Sequence, residues 1–273
     1  CERVKVAPKG KKKKYQVQEV PETGILFMVI MAVALIVRYI AAAKYFGNET
    51  DMNCFIAWGD MVFKDGIGNF YSSDSFTDYP PGYMYILYMV GAIRHVLGVA
   101  WNSTLSVMLT KTPAIIADLA TAYLLFRVAG KRWTQKGAGI LTAIYLFAPA
   151  VLLDGAIWGQ TDAVFTFFVV LMIYLVTERK LIPSYFVFAV AVLVKPQSLI
   201  FTPVLIYGII DQVFLDGFDW KNFWKNLGLG LAAIAMIILL MLPFGFKDAL
   251  SQYTETLASY KFASVNAYNI WTL

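Results

Sequence analysis

The chain has 273 residues, of which 59% are hydrophobic, with a net charge of +5 and a mean hydropathy of +0.62. Soluble domains run at roughly 45–50% apolar residues, so this composition excludes a soluble fold and points to an integral membrane protein. A single histidine, His95, and two cysteines, Cys1 and Cys54, exclude a disulfide scaffold, a paired-cysteine metal site and a histidine cluster.

Residues 1–22 form a basic tail that includes Lys9, Lys11, Lys12, Lys13 and Lys14. It is too polar to pack a core and reads as a cytoplasmic topology signal, so the net charge calls for no nucleic acid. The apolar runs that follow are unbroken rather than alternating, which favours helices over a closed barrel. Residues 24–46 are the first predicted span. Arg38 lies in its outer half, where a charge faces a partner or a cavity, or else snorkels to the headgroups.

The polar stretch 47–83 opens a large first outer loop, 47–105. It carries Glu49, Asp51, Asp60, Asp65, Asp74 and Asp78, interleaved with Trp58, Phe70, Tyr71 and Tyr79. Residues 51–63 read as a short amphipathic helix with Phe55, Ile56, Trp58, Val62 and Phe63 on its interfacial side. Pro80 and Pro81 stop any helix before them. Residues 82–103 are apolar, but Arg94 and His95 interrupt them. Making them a span would also turn the basic loop 130–137 outward, so they are read as interfacial or re-entrant.

Further spans are expected at 106–125, 140–153, 163–176, 181–194, 198–210 and 227–242, giving about seven crossings in an all-α polytopic fold. The segments 181–194 and 198–210 are short. They read as half-crossing helices, or as one long kinked helix that would reverse everything after it. Residues 23–273 are taken as one membrane-embedded domain with no internal repeat. The chain begins with Cys and stops soon after an apolar helix, so a C-terminal continuation is expected.

This topology gathers polar groups on one face: Asp51, Asp60, Asp78, Tyr79, Arg94, His95, Lys111, Trp158, Gln160, Asp162, Lys195 and Gln197, joined by Asn266 and Asn269. A carboxylate just outside the membrane can deprotonate a hydroxyl. Nearby cations stabilise a departing phosphate, and aromatic faces stack on sugar rings. Competing readings are structural. Asp51 could cap the helix beginning there, Asp162 suits a helix start, and Lys111 lies two turns before Asp118 on one helix face, as in an ion pair.

The order DYPPGY (78–83), KTPAIIADLA (111–120), WGQTD (158–162), KPQ (195–197) and SVNAYNIW (264–271) resembles the GT-C superfamily of polytopic glycosyltransferases. It is most similar to bacterial membrane mannosyltransferase-like proteins related to GPI mannosyltransferase 2. The resemblance spans residues 35–273. It implies an inverting transferase that moves a hexose, mannose or glucose, from a polyprenyl-phosphate sugar to a glycan, lipid or protein acceptor. Asp51 then matches the general base, with Asp60 in reserve. Trp158, Gln160, Asp162, Lys195 and Gln197 match the donor pocket.

No metal ligand set and no required cofactor are expected, although dependence on a metal stays open; membrane lipid and the lipid-linked sugar are the partners. The expected site is the non-cytoplasmic face of a bacterial plasma membrane, or of the endoplasmic reticulum membrane in a eukaryote. A secondary transporter or lipid-linked sugar flippase is the alternative, since it too holds intramembrane charge and broken helices.

Overall fold

The structure is a computed structural model that describes residues 24–71, 76–215 and 217–259, with 253–259 as backbone only. The basic tail, Asn266 and Asn269 lie outside the described residues. The fold is all-α, with no strand longer than an isolated bridge among the described residues. Its helices are α1 (Ile25–Lys44), α2 (Glu49–Lys64), α3 (Pro81–Val96), α4 (Thr104–Ala129), α5 (Gln135–Leu146) and α6 (Pro149–Val151), which runs into a π-helical turn at Leu152–Trp158. There follow α7 (Asp162–Thr177), α8 (Leu181–Val194), α9 (Thr202–Phe214), α10 (Trp220–Met241) and α11 (Phe246–Ser259).

Among the described residues, four helical stretches are long and apolar enough to cross a membrane: Ile25–Lys44, Thr104–Ala129, Pro196–Phe214 and Trp220–Phe244. The pair Gln135–Leu146 and Pro149–Trp158, bent by 51°, makes up to 5. The expected count of seven is therefore too high. Each of the seven segments is helical, but α7 and α8 are shorter apolar helices. A span needs about 20 residues at 1.5 Å each to cover a ~30 Å core.

Contacts between turns define the two ends of the bundle. Gly24 lies against Gln135, Lys131 pairs with Glu178, and Arg179 pairs with Asp211 at 3.5 Å. The start of α1, the α4–α5 turn, the α7–α8 turn and the end of α9 therefore share one end. The same contacts settle the segment 181–210. Extended backbone at Lys195 breaks it, and Gly208 of α9 returns to Leu181 and Val176. It is a hairpin of two helices and not one kinked rod.

Near the other end, α2 forms as expected, with Asn48 as its cap: the Asn48 side chain accepts from Asp51 N at 3.1 Å. Its apolar face does not turn to lipid, however. Phe55, Ile56, Trp58 and Val62 are buried, three of them in a core with Tyr83, Met84 and Leu87 of α3 and Leu193 and Val194 of α8. Aromatic rings of this core meet edge to face, Phe55 with Tyr79, Tyr83 and Trp58, and Trp58 with Phe70. Burying this face removes more apolar area from water than laying it on a headgroup layer.

Two glycines bring backbones together on α3. A methyl at Gly91 would lie 2.2 Å from Gly59 O on α2, and one at Gly82 would lie 2.5 Å from the carbonyl of Leu193 on α8. No other residue fits at these crossings without separating the helices. Pro81 opens α3 at the position where a missing N–H costs nothing.

Candidate functional site

Helix α2 starts where α1 ends, and its first turn delivers Asp51. Opposite it, the π-helical turn closes at Gly159, which takes a left-handed conformation at φ 86°. The chain there delivers Trp158 and Gln160. The Asp51 Oδ2 accepts from Trp158 Nε1 at 2.7 Å and from Gln160 Nε2. Gln160 Oε1 in turn accepts from the Tyr79 hydroxyl at 3.4 Å. The Asp51 carboxylate is therefore held by neighbours 107 and 109 residues away in the chain, and it is not the cap of its own helix.

The loop carrying Asp78 and Tyr79 is tied down from behind. Trp58 Nε1 donates to Phe76 O at 2.8 Å, and the Tyr71 hydroxyl donates to Tyr79 O at 2.7 Å. Burial pushes the Tyr79 hydroxyl well above its ordinary range, so it stays protonated and available to donate to Gln160. The Asp78 Oδ1 is buried and has no hydrogen-bond partner among the described residues. Burial first, and Asp51 to a smaller extent, raise the Asp78 carboxyl above its usual 3.8, against one lowering contribution from its own backbone N–H. Burial first, and then Asp78 and Asp51, raise the Cys54 thiol above its ordinary range.

A carboxyl whose folded value is raised binds its proton more tightly in the folded state. Stability is then fullest below the unfolded value near 3.8 and declines as pH rises through the folded one. Asp78→Asn is therefore expected to raise the thermal midpoint at pH 7 and to leave it unchanged below pH ~3.5, where both forms are neutral. Thermal melts of the two proteins at both pH values check this.

Asp162 opens α7 and forms an ion pair with Lys195, which follows α8. The Lys195 ammonium also sits 5.4 Å from the centre of the Phe165 ring. Tyr79 lies within electrostatic reach of Asp162 as well as of Asp51 and Asp78, so this pair adjoins the Asp51 cluster. Gln197 is exposed in the 3-10 turn that follows.

Other expected members are placed elsewhere. Asp60 lies about 13 Å further along α2 and half a turn round it. It pairs there with Arg94 at 3.0 Å and His95 at 3.2 Å. Arg94 is buried and also donates to Ile56 O, while His95 stacks on Phe63 with ring centres 5.0 Å apart. These three brace α2 against α3. Lys111 does not pair with Asp118: its ammonium donates to the carbonyls of Tyr45 and Ile157. The partner of Asp118 is Arg38, at 3.2 Å, in a fully buried contact.

Sequence reasoning passed over Asp154, which sits in the π-helical turn within reach of Asp162, Asp118 and Lys195. The signal was there in DGAIWGQTD, two acids flanking a Trp-Gly break. A π-turn is a frequent mark of a functional site. No group of three His, Cys, Asp or Glu side chains among the described residues could hold a metal ion.

Chemically, the cluster offers a carboxylate fixed by neutral donors, two aromatic side chains, a second carboxyl with an unfilled oxygen, and one lysine already paired to an acid. Residues 58–265 match the family model described as GPI transamidase subunit PIG-U. No curated protein matches the chain.

Proposed function

Because the chain belongs to the PIG-U family, that of GPI transamidase subunit PIG-U, we propose that it is a membrane protein that binds the glycan of a glycolipid in the Asp51 cluster. The observation that carries this reading is the state of Asp51. Its Oδ2 is occupied by two neutral N–H donors, while Oδ1 has no protein partner among the described residues. A carboxylate oriented in this way leaves one oxygen for a ligand hydroxyl. Trp158, which is 43% exposed, offers an indole face beside it. Lys195, whose ion pair with Asp162 adjoins the cluster, suits a lipid phosphate that displaces Asp162 from it.

A second reading uses the same free oxygen. Asp51 Oδ1 takes the proton of an acceptor hydroxyl, whose oxygen attacks the anomeric carbon of a polyprenyl-phosphate sugar. The bond from that carbon to the phosphate oxygen breaks, its electrons leave with the phosphate, and the anomeric centre inverts. This is the hexosyl transfer that the GT-C likeness implies. A bulk polar site at the non-cytoplasmic face serves both readings, and the PIG-U family favours the endoplasmic reticulum membrane as its place.

The test uses the full chain in lipid nanodiscs. Radiolabelled glycosylphosphatidylinositol is expected to bind saturably and to be displaced by its free headgroup glycan. Phosphatidylinositol lacking the glycan is expected to bind no more than background. Equal retention of both lipids overturns the glycan site. Incubation with polyprenyl-phosphate mannose and the same acceptor decides the second reading: a new mannosyl product supports it, and its absence with intact binding removes it alone.

A further inference from the structure

Lys111 carries its charge inside a candidate span, and its ammonium reaches no acid. It touches backbone instead: Tyr45 O and Ile157 O, both at 2.6 Å. The side chain is fully buried. Each of these carbonyls stands where a helix gives out. Tyr45 follows the last residue of α1, and Ile157 belongs to the end of the π-helical turn. Helix ends leave carbonyls without an intrahelical N–H, and hydrocarbon offers no water to satisfy them. Arg38 treats a third such carbonyl in the same way, donating to Leu146 O at 2.9 Å where α5 stops before Pro149.

The two carbonyls that share Lys111 are the anchors of the two chains that meet at Asp51. Beyond Tyr45 the chain makes one turn at Gly47 and enters α2, with Asp51 in its first turn. Beyond Ile157 come Trp158 and Gln160. The packing here leaves no slack. A methyl at Gly47 would lie 2.5 Å from Trp158 O, and one at Gly159 would lie 2.8 Å from Lys111 Cγ.

We infer that Lys111 is a positioning residue: its ammonium replaces the missing N–H donors of two helix ends and so sets the distance between Asp51 and its partners Trp158 and Gln160. The cation predicted to meet the ligand instead holds the two strands of chain that do. The inference rests on the glycan-site reading for its purpose, but the geometry it claims can be tested without any ligand. A flexible neutral side chain at 111 would leave two carbonyls unserved. The α1 exit and the π-turn would then separate, and the Trp158–Asp51 hydrogen bond would go with them.

The experiment is fluorine NMR on the full chain labelled with 5-fluorotryptophan in nanodiscs, with no ligand present. The Trp158 signal is the one missing from Trp158→Phe. In Lys111→Met it is expected to move toward its position in Asp51→Ala, which removes the acceptor of the Trp158 N–H, while the signals of Trp133 and Trp220, at the other end of the bundle, stay in place. Lys111→Arg, whose guanidinium can serve both carbonyls, is expected to restore it. A folded Lys111→Met protein with the Trp158 signal at its wild-type position overturns the inference. Should Lys111→Met fail to fold, Lys111→Gln, whose amide nitrogen stops one bond short of the ammonium that reaches Tyr45 O and Ile157 O, is read in the same way: an unmoved signal overturns it, and a moved one supports it. Loss of glycolipid binding in wild type would sink the functional reading and leave this result standing.

Discussion

Asp51→Asn is expected to fold as wild type does and to bind the glycolipid roughly 10- to 100-fold more weakly. The size follows from the ~1.5–3 kcal/mol of a hydrogen bond to a charged group, at 1.4 kcal/mol per tenfold. Folding is spared because an amide oxygen still accepts from Trp158 and Gln160, whose hydrogen bonds now end on a charged one. What the variant lacks is the ionised oxygen facing the ligand. If hexosyl transfer also occurs there, turnover should fall further, by about 10²–10⁴, as for loss of a general base. Binding isotherms and single-turnover assays on the two proteins separate the effects. An affinity equal to wild type would remove Asp51 from the site.

Arg38→Met is expected to cost about 3–5 kcal/mol of stability, the usual penalty for leaving one partner of a buried pair uncompensated. The Arg38 side chain is entirely buried and Asp118 nearly so. Removing the guanidinium leaves the Asp118 carboxylate between α1 and α4 with its Tyr145 hydrogen bond but no cation, and also frees the carbonyl of Leu146. The double variant Arg38→Met with Asp118→Leu should recover most of the loss, because two apolar residues need no partner. It should not recover all of it, since Leu146 O still lacks a donor. Thermal midpoints of the single and double variants in detergent measure both steps. A single variant as stable as wild type would show that the pair contributes nothing.

The helices of this fold were legible because hydrocarbon allows few alternatives to them, and each long apolar run became one. How many of them cross was less legible. Apolarity reads the same in α7 and α8, which are short, as in α10, which is long. The Asp51, Trp158 and Gln160 grouping could be reached by alternating the direction of successive spans, which brings loop ends to a common face. Pairings across helices could not be reached in that way. Helical periodicity sees Lys111 and Asp118 on one face, but it has no means of showing that Arg38, 80 residues earlier, comes closer to Asp118. Nor does it show whether the aromatics of α2 meet lipid or a second helix. That outcome was decided by Gly59 of α2 and Gly91 of α3, whose lack of side chains lets the two helices lie against each other. The family match to a transamidase subunit supports the membrane and glycolipid setting of the sequence reading, and hexosyl transfer remains a proposal beside it.

The crossing of α3 over α8 at Gly82 has a mechanical consequence. Backbone meets backbone there, at Leu193 and Val194, with no side chain between to bend or change rotamer. Tyr79 stands three residues before that crossing on one chain, and Lys195 stands just after it on the other. Tyr79, which braces Gln160, and the Lys195 ammonium are thus tied to a single fixed point and shift as one piece. For the glycan site proposed above, this makes their separation a gauge that a headgroup has to match.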